Sequence, residues 1–564
     1  MTLRRPRAHA AILLAAALAA ACTAPAAGEP EVAAPFRFDD VTAAVGLAGV
    51  RTGAFRSSVT ADPVATMGTG LCWLDADRDG WLDLFVVTTW SEAELGAWRA
   101  EGGVPRAMLL RNDRGTFVDV SAGSGADLAV RGTGCAAADL DRDGDTDLVV
   151  TSAGPTSLLW NDGDGTFTEG GAAAGIAPYG WFAGIAIADV DRDGWQDVFL
   201  AGYADRNAPI ADAPGGFPRT FAGVRDRLYL SRGLVGGRVA FREVGVAAGL
   251  EASAFRHGLG ATFTDIDLDG DLDLYVANDL DANQLYENVA WPGGAASDPA
   301  GLGFRFDEIA APSGVADPNA GMGVAVADLD ARLGLDLVVT NARTQGTFLA
   351  LREPDGSYVA LEVDGLPESL GGASTGFGVS TADFDRDGDP DLLVANGDVP
   401  VTSLVDDAEP LVLVRNDGWS EGTGIMLVDV SDAVGLAAIG PVVGRGTAAA
   451  DFDNDGRLDV AIATVGGPVL LLRGTDGAPG WITVAPTPAT PGTRVTITSA
   501  DGRVATCELR AGSSYLSSED PRCVVGLGAM AAGATVRVEV VWPDGRRRTL
   551  DDVAIGRIVA VPGW

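Results

Sequence analysis

Short apolar runs punctuate the chain, such as "LFVV" at 84–87, "LVVT" at 148–151, "VFLA" at 198–201 and "LYVA" at 274–277. They are rich in β-branched residues and bounded by glycine, which predicts strands rather than helices. Each follows a nine-residue acidic segment: "DADRDGWLD" (75–83), "DLDRDGDTD" (139–147), "DVDRDGWQD" (189–197), "DIDLDGDLD" (265–273), "DLDARLGLD" (328–336), "DFDRDGDPD" (383–391) and "DFDNDGRLD" (451–459). Five residues before each first aspartate stands a glycine: Gly70, Gly134, Gly184, Gly260, Gly323, Gly378 and Gly446. A further strand follows, "MLLRN", "LLWN", "LYL" or "LVRN", and often an aromatic-led one such as "GTFVDV" or "GTFTEG".

The starts of the acidic segments are 64, 50, 76, 63, 55 and 68 residues apart. That period suits a four-stranded propeller blade better than a helical repeat. The aromatic-led strand is out of step by one copy. "FRFDDVTAAVGL" (36–47) precedes the first segment, and nothing similar follows the seventh. Ring closure explains the offset, with the N-terminal strand completing the seventh blade and leaving no open sheet edge. The expectation is an all-β chain with a seven-bladed β-propeller over 36–478. A small β-sandwich-like domain follows over 479–564, where Val536, Val538, Val540 and Trp542 share one strand face and "GTRVTITS" is another alternating strand.

The spacing D-x-D-x-D-G-x-x-D suits calcium, a hard cation that takes several oxygens at once, with glycine permitting the turn around it. The expected ligands are Asp75, Asp77, Asp79 and Asp83; Asp139, Asp141, Asp143, Asp145 and Asp147; Asp189, Asp191, Asp193 and Asp197; Asp265, Asp267, Asp269, Asp271 and Asp273. To these add Asp383, Asp385, Asp387, Asp389 and Asp391, with Asp451, Asp453, Asp455 and Asp459. The seventh position supplies a backbone carbonyl, which brings in Trp81, Trp195 and Arg457. An EF-hand is excluded because its twelfth position needs glutamate, and here that position holds Val86, Val150, Leu200, Val276, Val339, Val394 and Ile462. The competing reading is a set of metal-free acidic turns. About six calcium sites are expected on ligand count. The 328–336 segment is the exception: Arg332 stands at position 5, so an internal salt bridge with Asp328, Asp330 and Asp336 is expected to replace the ion.

Charge and composition narrow the function. The 564 residues carry a formal charge of −38, and 30 of the 78 acidic residues are loop aspartates. Attraction to nucleic acid or to an anionic membrane surface is disfavoured. No lysine is present, which excludes Schiff-base chemistry. His9 and His257 are the only histidines.

The N-terminus, "MTLRRPRAHAAILLAAALAAACTAP", has the basic start and apolar stretch of a signal peptide. "LAAAC" resembles a lipobox, so 1–21 is read as a lipoprotein signal peptide, Cys22 as the lipidated residue and 22–35 as a tether. The expected location is the cell envelope, at the outer membrane or cell surface, with membrane contact through the lipid alone. A plain secretory signal is the alternative. Cys507 and Cys523 flank one short segment and are a candidate disulfide. For Cys72 and Cys135 pairing and free thiols both stay open.

Units such as "GFG" (376–378) with "DFDRDGDPDLLV" (383–394) resemble FG-GAP/VCBS repeats, as in the integrin α-subunit propeller. "AGSSYLSSEDPRCVVGLG" and "VRVEVVWPDGRRRTLDDV" resemble the ASPIC/UnbV domain of the cartilage acidic protein family, from which the two tail cysteines depart as a local addition. The resemblance implies a calcium-binding extracellular propeller, with adhesion or ligand binding and no assigned reaction. The expected function is therefore an envelope-anchored binding module without catalysis, for a protein or glycan ligand. The alternative is a polysaccharide lyase or hydrolase, or a lectin, using propeller loops. Insertions at 86–107, 203–226 and 289–304 are the candidate ligand loops, with Tyr203, Arg206, Phe217, Arg219 and Phe221 in the longest. His257 is read as a packing residue or as a base at the ring centre, and Tyr515 as a core or a recognition residue.

Overall fold

The computed structural model describes residues 35–563 apart from 57, 251–254, 333, 362–365 and 532. The expected signal peptide, tether and Cys22 lie outside the described residues.

Seven four-stranded antiparallel blades follow one another along the chain, and the second and third are joined into one eight-stranded sheet where Tyr179–Trp181 pairs with Ala153–Pro155. In the first blade the strands are Leu71–Leu74, Asp83–Val86, Met108–Asn112 and Phe117–Asp119. In the seventh, Gly444–Ala450, Asp459–Thr464 and Leu470–Asp476 are joined by the N-terminal strand Phe36–Asp40. The register runs from Phe36 opposite Asp476 to Asp40 opposite Leu472, so the ring closes as the strand offset requires. Second strands are apolar because neighbouring blades cover both their faces: every residue of Asp83–Val86 and of Asp336–Val339 is buried. Between blades 7 and 1 the core is aromatic, with Trp73, Phe117 and Phe452 in mutual contact.

The recurrent glycines mark where innermost strands approach one another. A Cβ on Gly134 would lie 3.1 Å from the Ala183 carbonyl oxygen, and one on Gly184 2.5 Å from that of Leu259. Gly260, Gly323 and Gly378 abut the next blade's backbone in the same way, and Gly446 meets Gly70. Only glycine lets seven backbones converge so closely. A disulfide, Cys72–Cys135, joins the inner strands of blades 1 and 2.

After the ring the chain forms two small sheets. One contains Trp481–Thr487, Cys523–Gly526 and Ile558–Pro562; the other Arg494–Ser499, Val504–Glu508, Thr535–Val541 and Arg547–Ala554. Val536, Val538, Val540 and Trp542 are buried between them, as their alternation predicts. The Cys507–Cys523 disulfide links the two sheets.

Between those cysteines, residues 508–522 leave the tail and enter the axis of the ring. Ser518 N donates to Leu71 O in blade 1, and Cys135 N in blade 2 donates to Leu516 O. Ile187 N in blade 3 donates to Ala511 O, Val324 N in blade 5 to Ser514 O, and Val379 N in blade 6 to Ser514 Oγ at 3.1 Å. Arg510 Nη2 reaches Thr264 Oγ1 of blade 4, and Asp520 N reaches Ala449 O of blade 7. This finger therefore touches the innermost strand of every blade. Ser514 and Leu516 adopt φ of 57° and 60°, a conformation unfavourable for side-chain-bearing residues that the surrounding contacts impose. Tyr515 is fully buried, its hydroxyl donating to Met67 O and its ring 5.0 Å from Phe377. It is a core residue, but of the ring rather than of its own domain.

Strand alternation gives the ring two unlike faces. All seven acidic loops join first to second strands and share one face. Insertions 86–107 and 203–226 join second to third strands and lie on the opposite face, where Arg206 approaches Glu92 at 3.5 Å. The 289–304 insertion returns to the loop face, so the three candidate ligand loops do not form one surface.

Candidate metal centres

Each acidic loop is built by its own carboxylates. In the first, Asp75 Oδ1 accepts from Asp79 N, Asp75 Oδ2 from Gly80 N, and Asp79 Oδ1 from Trp81 N, at 2.9–3.1 Å. The fourth residue is left-handed in all seven copies: Arg78, Arg142, Arg192, Leu268, Ala331, Arg386 and Asn454 have φ between 55° and 65°. That turn folds the loop back so that alternate carboxylates point inward.

The ninth aspartate has a second task. Asp83 Oδ2 accepts from Ala76 N and Oδ1 from Asn112 N on the third strand, at 3.1 and 2.7 Å. Asp147, Asp197, Asp273, Asp336, Asp391 and Asp459 each clamp the equivalent two amides. Asn112 in turn donates to Leu82 O of its own loop and Phe452 O of the preceding blade's loop. Asn161, Asn288 and Asn416 repeat that stitch.

Carboxylate oxygens of Asp75, Asp77 and Asp79 lie within 4.8 Å of one another, as do those of Asp139, Asp141 and Asp147, of Asp189, Asp191 and Asp197, and of Asp265, Asp267 and Asp269. Several acidic groups are thus placed to hold a metal ion. Buried oxygens Oδ1 of Asp139, Asp265, Asp271, Asp383 and Asp453 accept no hydrogen bond among the described residues. Leaving buried carboxylate oxygens unsatisfied is costly, and a cation meets that demand. Burial, reinforced by neighbouring carboxylates, pushes the carboxyls of Asp83, Asp189 and Asp451 up to about 7 and that of Asp273 up to about 8. Asp139 and Asp191 are pushed up to about 6 by the same causes. These values describe the ion-free loops. A divalent cation opposes both causes.

The fifth loop makes part of the expected internal salt bridge, with Asp330 alone of the three loop aspartates. Arg332 does not lie among three carboxylates: Nε pairs with Asp330 Oδ2 at 2.5 Å, Nη2 reaches Glu353 at 3.3 Å, and the guanidinium sits over Trp419. Asp328, Asp330 and Asp336 still converge as in the intact loops. Ala331 makes the same position-4 turn as in the other loops, and the arginine reaches outward to Glu353 on the third-strand side.

A contact missed in the sequence ties loops to each other. Arg78 of loop 1 pairs with Asp145 of loop 2 (Nη2 to Oδ2, 2.6 Å), and Arg192 of loop 3 with Asp271 of loop 4 at 3.1 Å. Arg142 of loop 2 stacks over Trp195 of loop 3, and Asn454 of loop 7 donates to Gly80 O of loop 1. The side chain at position 4 thus reaches the following blade's loop, so Asp145 and Asp271 serve an arginine as well as their own loop. Arginine at position 4 in four of the seven copies was the available signal. Of the other seventh-position residues, Arg457 turns back onto Asp455 at 2.6 Å.

His257 lies at the opposite face. Its Nδ1 is 2.8 Å from Asp281 Oδ2 and its Nε2 3.1 Å from Phe221 O, so both ring nitrogens are committed. The adjacent Tyr203 is buried, its hydroxyl donating to Asp279 at 2.6 Å.

The tail covers much of the loop face. Arg494 pairs with Asp265 at 2.8 Å, Arg522 donates to Asp451 O at 2.7 Å and Asn454 Oδ1 at 2.6 Å, and Gly528 N donates to Arg386 O at 2.8 Å. Trp481 packs on Gly456.

Residues 139–200 and 334–394 match the FG-GAP-like repeat, and residues 485–562 match ASPIC and UnbV. Among curated protein sequences none matches the chain. Of solved structures, one on recognition of non-reducing terminal N-acetylglucosamine by an Agrocybe aegerita lectin is 14% identical, with a TM-score of 0.36, covering 70% of this chain and 86% of that one. Another, BBS1N in complex with ARL6DN, is 8% identical, with a TM-score of 0.39 and coverage of 78% and 97%. At these TM-scores neither likeness informs the chemistry of the loops.

Proposed function

We propose that this chain, in which FG-GAP-like repeats are joined to a C-terminal ASPIC/UnbV domain, is a calcium-binding module of the extracellular binding or adhesion type, without catalytic activity. A lipid on Cys22 holds it to the cell envelope. The observation that carries the calcium reading is the set of buried carboxylate oxygens without hydrogen bonds, in loops whose aspartates converge within 4.8 Å of one another. Aspartates 1, 3, 5 and 9 and the seventh carbonyl would hold the ion. Calcium supplies no reaction there; it neutralises the carboxylates and fixes the loops that link neighbouring blades.

The ligand, a protein or a glycan, meets the face opposite the loops, because the tail occupies much of the loop face. That opposite face carries insertions 86–107 and 203–226, and loops on a rigid scaffold are the usual place for recognition. Absence of catalysis is supported by the commitment of both His257 nitrogens and by the use of the clustered aspartates in the loops.

Native mass spectrometry in calcium tests the reading, with about six ions expected from the intact ligand sets. Chelation should lower the melting temperature, since an ion that binds only the folded state stabilises it. No bound metal together with an unchanged melting temperature would overturn the proposal.

A further inference from the structure

The tail domain rests on the elements expected to hold calcium, and the finger that fills the ring axis belongs to that domain. We propose that calcium binding governs docking of the tail, so that ion removal undocks it and withdraws the finger from the axis. The inference rests on the calcium reading above and extends it to regulation of the same loops.

Three loops carry the coupling. In loop 4 one carboxylate faces both ways: Asp265 Oδ2 pairs with Arg494 of the tail, while Asp265 Oδ1 is buried without a hydrogen bond. In loop 7 the tail grips the backbone of Asp451. Asp520 Oδ2 accepts from Asp451 N at 3.2 Å, and Arg522 Nη2 donates to Asp451 O. The side chain of the same residue accepts from Asp455 N and Gly456 N inside the loop. In loop 6, Gly528 N of the tail donates to Arg386 O. Gly526 lies against Asp383 and Arg386 so closely that a Cβ would collide with both.

These contacts are mostly to loop backbone, and they exist only while the loop keeps its wrapped shape. Without an ion, mutual repulsion among the aspartates acts to open that shape. The pair between Arg494 and Asp265 works in the other direction, since an un-neutralised carboxylate attracts the guanidinium more strongly. It is one contact against several that need the loop ordered, so cation and tail are expected to bind cooperatively. Within the finger Ser513 N donates to Ser517 O and Gly512 N to Ser518 Oγ, while most of its other backbone hydrogen bonds go to the ring. Ser514 and Leu516 keep left-handed backbones only inside the ring, so undocking and withdrawal go together.

The test uses the full chain with a protease-cleavable sequence inserted at Pro479, between the ring and the tail. After cleavage, the two parts should co-elute in size-exclusion chromatography in millimolar calcium and separate in excess chelator. A second variant, Arg494→Ala with Arg522→Ala, should separate in calcium while keeping the ion count of the parent in native mass spectrometry. Hydrogen exchange on the uncut chain should show the Ser514 and Ser518 amides losing protection in chelator before the inner strands do. Parts that stay together after mass spectrometry shows the ions gone would overturn the inference and leave the calcium reading standing. Simultaneous loss of protection in finger and ring would overturn it too. If mass spectrometry finds no calcium in the untreated protein, the calcium reading itself fails, which is a separate result.

Discussion

Arg78 in loop 1 and Asp145 in loop 2 are 67 residues apart in sequence, yet their side chains pair at 2.6 Å (Nη2 to Oδ2), with Nε meeting the other carboxylate oxygen. Asp145 is almost wholly buried, whereas Arg78 is half exposed. The pair joins two blades at their acidic edges, where like charges would otherwise push them apart. Arg78→Ala leaves a buried carboxylate without its cation and should destabilise the protein by about 1–3 kcal/mol. Asp145→Asn in the same background should recover most of that loss. Thermal denaturation of the two single variants and the double variant measures the coupling. Additive losses would show that the pair contributes nothing.

The ninth aspartates make a stronger prediction. Asp459 Oδ2 accepts from Phe452 N and Oδ1 from Gly474 N, at 3.2 and 2.8 Å, and the residue is fully buried. Asp459→Asn presents an amide N–H to one of two backbone donors, and a loss of about 2–4 kcal/mol is expected. The loss should persist in chelator, because the clamp does not depend on an ion. A variant destabilised only in calcium would show that position 9 acts through the metal alone.

The pH dependence follows from the raised carboxyl pKa values. Asp83, Asp189 and Asp451 titrate near 7 and Asp273 near 8 in the ion-free fold, above the unfolded value of 3.8. The folded state therefore binds protons more tightly than the unfolded one. That contribution is fully present below about pH 4 and is lost progressively as pH rises from there through about 7 to 8. Chelator-treated protein should lose melting temperature across that window. Calcium-loaded protein, with its carboxylates ionised on the ion, should not, so the gap between the two widens as pH rises. A chelated form that gains stability between about pH 5 and 8 would contradict this.

Loop 5 gives a counting test. Asp267→Asn in loop 4 should lower the calcium count by one in native mass spectrometry. Asp330→Asn in loop 5 should leave the count unchanged, since that carboxylate already serves Arg332. A decrease for both would show that loop 5 also carries an ion, consistent with its converging aspartates.

What the sequence made legible was whatever repeats in one dimension. Seven acidic segments, the glycine before each, and the displaced strand at 36–47 lead to a closed ring of seven blades, because each reports a local steric or pairing need. The buried face of Val536, Val538, Val540 and Trp542 was readable for the same reason. Contacts that need two distant elements side by side were not. Cys72 and Cys135 could be paired only once blades 1 and 2 were adjacent. The cross-loop role of Arg78 and Arg192 was hidden because it depends on which loops stand side by side in the ring. Tyr515 has the setting of a loop residue in its own domain and finds its core in another.

The closing strand also fixes on which side of the ring the described chain begins. Phe36 lies opposite Asp476, and Pro35 O accepts from Gly477 N at 3.1 Å. Asp476 O is in turn held by Arg386 and Arg457, both loop residues. Pro35, the first described residue, therefore lies on the side that carries the aspartates and the tail. The face bearing the 86–107 and 203–226 insertions is the far one, so Pro35 and those insertions stand at opposite ends of the ring axis.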